Sequence, residues 1–82
     1  MRPRPTSVRA LVRAGTARLH EAGLARATHE VEWLLGRLLG VSRTELYVFE
    51  GAVPEPVARR FLTTLHRRAG GAPLQYLLRF LL

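Results

Sequence analysis

The side chains able to do chemistry in this chain are few in kind: three histidines, six acidic residues that are all glutamate, and thirteen basic residues that are all arginine. A metal centre or an acid–base pair needs such groups at spacings that bring them together. His20, His29 and His66 fall on three separate predicted helices, and none is three or four residues from another. A metal site would therefore have to be assembled across helices with glutamate as the remaining ligand type, so each histidine is read as a surface residue. Glu30 and Glu32 are two apart, which on a helix turns them to different sides and argues against a paired-carboxylate site. The absence of cysteine removes a disulfide framework, a thiolate zinc site and a cysteine nucleophile together.

Phosphate cradles are equally missing. No Gly-x-Gly occurs, there is no lysine for a P-loop, and Gly70-Gly71 leads to Pro73 rather than to a helix with free amides. The chain thus offers no catalytic residue, no cofactor-binding residue and no metal ligand, and it reads as a module that binds something.

The net charge of +7 leaves two accounts open. Arginine forks grip phosphate, which suits a polyanion partner. Arginine also occupies solvated helix faces, and here the arginines are scattered, with only Arg59-Arg60 and Arg67-Arg68 adjacent in the second half. A helix-turn-helix reader is the natural nucleic-acid form, with Gly40-Val41-Ser42 as its turn. The helix after that turn, "RTELYVFE", is short and half apolar and presents only Arg43, Thr44 and Glu45 to bases, which argues against it.

The elements that must position these residues are helical. At 82 residues the chain forms one domain with a thin core, and 48% apolar content is too high for disorder. "MRPRP" predicts an extended arm over residues 1–6, because each proline restricts itself and its predecessor. A first helix follows, capped by Thr6 or Ser7, with Val8, Leu11, Val12, Gly15 and Leu19 on one face and Gly23 as its stop. In "THEVEWLLGRLLG" the stripe Val31, Leu34, Leu35, Leu38, Leu39 predicts a second, capped by Thr28 and ended by Gly40. Trp33, one step off that stripe, is expected to cover the core edge. Ser42 and Glu45 are spaced as a capping box, so a short third helix starts there and stops by Gly51, with Leu46 and Phe49 inward and the Tyr47 hydroxyl in solvent. A fourth begins after Pro54 and Pro56, buries Val57, Phe61, Leu62 and Leu65, and closes at Arg67-Arg68 before Gly70. Pro73 opens a final turn or two. No segment alternates as a strand does.

The fold class is therefore all-α, a small bundle of four to five short helices over residues 7–72. The apolar run that follows is far shorter than the roughly 20 residues a membrane span needs. No secretory signal is visible either, so a cytoplasmic location is the default expectation.

Two stretches of the chain resemble a known family. "EVEWLLGRLLGVSRTELYVFE" and "FLTTLHRRAGGAPLQYLL" look like the N-terminal helical domain of the HemK/PrmC family, the peptide chain release factor glutamine N5-methyltransferases. The matching positions are Glu30 to Leu35, then Gly40, Arg43 and Leu46, and most specifically Arg67, Arg68, Gly71, Pro73, Leu74, Gln75, Tyr76 and Leu77. The resemblance implies a bundle that helps hold a class-I release factor. It also implies a linker, starting over residues 73–82, to a methyltransferase domain that binds S-adenosylmethionine. That domain's glycine-rich loop and Asn-Pro-Pro-Tyr motif do not occur in these 82 residues, so no catalytic residue is carried over. After Leu77 the chain departs from the family pattern, with Arg79-Phe80-Leu81-Leu82 where a glycine is usual. Arg67, Arg68, Gln75 and Tyr76 are implied near the joint between bundle and linker, as contacts to the catalytic domain or the release factor, or as packing of that joint. The alternatives are a stand-alone basic helical nucleic-acid-binding protein and a homo-oligomer formed through the terminal apolar run.

Overall fold

The computed structural model describes residues 6–81, so all of the extended arm except Thr6 lies outside the described residues. The chain folds into five helices: α1 (Val8–Glu21), α2 (Ala27–Leu39), α3 (Arg43–Tyr47), α4 (Glu55–Ala69) and α5 (Leu74–Phe80). Among the described residues there is no strand, and no helix is long and apolar enough to cross a membrane.

α1 starts where its cap is satisfied, with the Ser7 hydroxyl accepting from the Ala10 amide at 3.1 Å. Its buried face is Val8, Leu11, Gly15 and Leu19, the helical spacing expected, with Val12 half-buried beside it. Gly15 lets the helices approach closely: a Cβ there would stand 3.1 Å from both Val31 and the Phe61 ring.

α2 begins one residue before Thr28, the predicted cap. Ala27 is buried in the core, which draws the first turn inward, and the Arg26 carbonyl accepts the opening bond from the Glu30 amide at 3.0 Å. Thr28 is left inside the helix. Val31, Leu34 and Leu35 are fully buried, and Leu38 and Leu39 pack half-buried against the same cluster.

The turn into α3 depends on two glycines. Gly40 adopts the left-handed conformation at φ 72°, which lets the Val41 amide reach back to the Gly36 carbonyl at 3.0 Å. That brings the Val41 carbonyl so near that a Cβ on Gly36 would meet it at 2.9 Å. The expected capping box is present: the Glu45 amide donates to Ser42 Oγ at 3.1 Å, and the Ser42 amide donates to Glu45 Oε1 at 2.9 Å.

α4 buries Ala58, Phe61, Thr64 and Leu65. Leu62, expected in its stripe, is 49% exposed. The cause is geometric, since Leu62 lies about 100° around the helix from Phe61 and comes over a shallow cleft shared with Ala14 and Arg18 of α1. Thr64 takes an inward place instead, its hydroxyl satisfied by the Arg60 carbonyl at 2.8 Å.

The closing apolar run contributes to the core in part. Pro73 leads into α5, and Leu77, Leu78 and Leu81 are buried in the same cluster as Leu34 and Phe61. The buried cluster therefore includes residues of α5 and Leu81 after it. At the other end, the Val53 amide donates to the Thr6 carbonyl at 2.7 Å and ties the start of the chain to the segment before α4.

Candidate partner-binding surface

The four residues singled out from sequence divide between two roles. Arg68 is committed inside the bundle. Its Nε donates to Glu30 Oε1 at 2.6 Å, Nη2 to Glu30 Oε2 at 3.2 Å and Nη1 to the Ala72 carbonyl at 3.0 Å. The side chains of this pair are only 17% and 12% exposed. The fork couples the last turn of α4 to the first turn of α2, and its bonds to Glu30 raise the Arg68 guanidinium above its already high ordinary pKa.

Arg67, Gln75 and Tyr76 are exposed. Tyr76 stacks on Phe80 one turn along α5, with ring centroids 6.3 Å apart, and the Arg67 guanidinium lies over the Phe80 ring, 5.4 Å from its centroid. The Phe80 carbonyl accepts from Arg60 Nη2 at 3.5 Å, so α4 and α5 together present the face. Two half-exposed aromatic rings flanked by Arg67 and Arg60 make an amphipathic surface suited to a protein partner. Phe80 belongs to it and was not singled out from sequence, because its place beside Arg67 depends on how α5 folds back on α4.

A second feature could not be read from spacing at all. Glu32, on α2, is 3% exposed and forms part of a groove of about 410 Å³ between α2 and the start of α3. Tyr47 donates its hydroxyl to Glu32 Oε2, which corrects the expectation of a solvated hydroxyl. Arg43 Nε lies 2.7 Å from Glu32 Oε1, yet that oxygen accepts no aligned hydrogen bond. Trp33 forms the groove wall at 54% exposure instead of covering the core edge, since its neighbours Glu32, Leu34 and Leu35 take the inward positions.

His66 Nδ1 lies 3.2 Å from Arg18 Nη2 at the surface, His20 and His29 are exposed, and among the described residues no three metal-ligating side chains converge. The arrangement suits recognition through exposed aromatic and arginine side chains.

Comparison with curated proteins and with solved structures finds no match. The family model of the PrmC N-terminal domain matches residues 10–78, from the first turn of α1 to the middle of α5. That span includes the capping box of α3, the Arg68 fork and the Gln75-Tyr76 face, and on it the chain belongs to the PrmC N-terminal domain family.

Proposed function

We propose that this domain is the substrate-recognition part of an S-adenosylmethionine-dependent protein methyltransferase, one that N5-methylates the glutamine of the Gly-Gly-Gln motif in class-I peptide chain release factors. The observation that carries this reading is the family match over residues 10–78. The exposed Arg67, Gln75, Tyr76 and Phe80 support it, because they leave a mixed aromatic and cationic face free for a protein. The division of labour gives the cofactor and the methyl transfer to a separate methyltransferase domain, and gives this bundle the release factor. The α4/α5 face then touches either that domain or the release factor, and the work takes place in the cytoplasm, where translation ends.

The test is binding without chemistry. The isolated chain is expected to retain a class-I release factor on an affinity column and to transfer no methyl group from S-adenosylmethionine. Tight binding of S-adenosylmethionine by the chain would overturn the division of labour, and failure to retain the release factor would overturn the recognition role.

A further inference from the structure

The groove between α2 and α3 is built from side chains that share no role with the α4/α5 face. Its floor holds Glu32, 3% exposed, with one carboxylate oxygen that accepts no aligned hydrogen bond. Its wall is the Trp33 indole, and Arg37 and Arg43 line it beside His29. That oxygen is ion-paired with Arg43 Nε at 2.7 Å but takes no aligned N–H, so a lone pair is left for an incoming donor. An ammonium or guanidinium would supply one, but it would have to pass Arg37 and Arg43 on a molecule of net charge +7. A neutral main-chain amide flanked by carboxylates meets no such opposition: the amide faces Glu32, the carboxylates face the arginines, and the backbone lies against the indole.

We propose that the Trp33, Glu32, Arg37 and Arg43 groove docks an extended acidic segment of a protein partner. The proposal rests on the reading that this domain grips a protein, and it gives that grip a second place and a chemistry. Arg43 bridges the floor of the site and its mouth. Its side chain is 60% exposed while its Nε is paired with Glu32, so its outer guanidinium nitrogens can take a partner carboxylate without leaving Glu32.

Trp33 is the only tryptophan in the chain, so selectively excited tryptophan emission reports on this groove alone. The probe is a blocked, tryptophan-free peptide of about ten residues with glutamate at alternate positions, compared with the same peptide carrying glutamine and with oligouridylate. The glutamate peptide is expected to give a saturable change in Trp33 emission. Arg37→Glu should weaken it about tenfold and Arg37→Lys less than about twofold, since Arg37 acts there as a charge. Arg37 is exposed, and each variant is checked by circular dichroism, which is expected to show the fold kept. Equal binding of the glutamine peptide, indifference to Arg37→Glu, or tighter binding of oligouridylate would each overturn the proposal. A parallel titration with a class-I release factor separates the two claims. Release-factor binding untouched by Arg37→Glu sinks the groove and leaves the recognition role standing, whereas peptide binding without release-factor binding does the reverse.

Discussion

Arg68 reaches across from the last turn of α4 to Glu30 in the first turn of α2, Nε to Oε1 at 2.6 Å, and the same guanidinium holds the Ala72 carbonyl. Three helix ends thus meet on one side chain: those of α4 and α2, and the approach to α5. Removing it strands a mostly buried carboxylate, so Arg68→Ala should cost about 2 kcal/mol and lower the melting temperature by about 10 °C. Arg68→Lys keeps the charge but loses the fork, and should recover less than half of that in a urea titration.

The start of α3 carries a pH dependence of known sign. The Ser42 amide, and after it the Ser42 hydroxyl, hold the Glu45 carboxyl below the usual glutamate value. A depressed folded-state pKa means that the box contributes fully above the unfolded chain's glutamate pKa and is lost as pH falls through the lower folded value. The Ser42 amide proton, followed by NMR from pH 7 to pH 2, should lose its hydrogen-bonded shift in that acid window. Glu45→Gln should flatten the curve.

Gly36 tests how the α2–α3 turn is closed. A methyl group would press on the Val41 carbonyl, a backbone atom that cannot swing aside, so Gly36→Ala should destabilise the domain by about 1 to 3 kcal/mol despite alanine's better helix propensity. Gly36 also lines the groove, and the Trp33 emission maximum should move in the same variant. An unchanged midpoint in denaturant would show that the turn relaxes freely.

Tyr76 separates recognition from folding. It is half-exposed on α5, and its loss removes little buried surface, so Tyr76→Ala should change stability by less than about 1 kcal/mol. If the α4/α5 face touches the release factor, the same variant should weaken release-factor binding about tenfold, as aromatic anchors do. Calorimetry on both counts checks it.

Much of the fold was legible because helical spacing reports burial directly. Val31, Leu34 and Leu35 on α2, the capping box of Ser42 and Glu45, and the ends near Gly40 and Gly70 follow from local rules that tertiary packing did not override. The misreadings occurred where tertiary packing decides. Leu62 is expected in the apolar stripe, but about 100° around α4 from Phe61 it stays half-exposed over the cleft shared with Ala14 and Arg18, and α2 starts at buried Ala27, before the cap that Thr28 offered. The site was harder still. Nothing in the spacing of Glu32, Arg43 and Tyr47 shows that one carboxylate gathers the other two, because their meeting depends on the turn that Gly36 and Gly40 allow.

The recognition role is tested most directly by titrating a class-I release factor into the 82-residue chain in a calorimeter at low and at physiological salt. Our account predicts a saturable one-to-one heat at both salt concentrations, with none when S-adenosylmethionine is injected instead. No heat with the release factor, alongside binding to duplex DNA that falls steeply with salt, would contradict it.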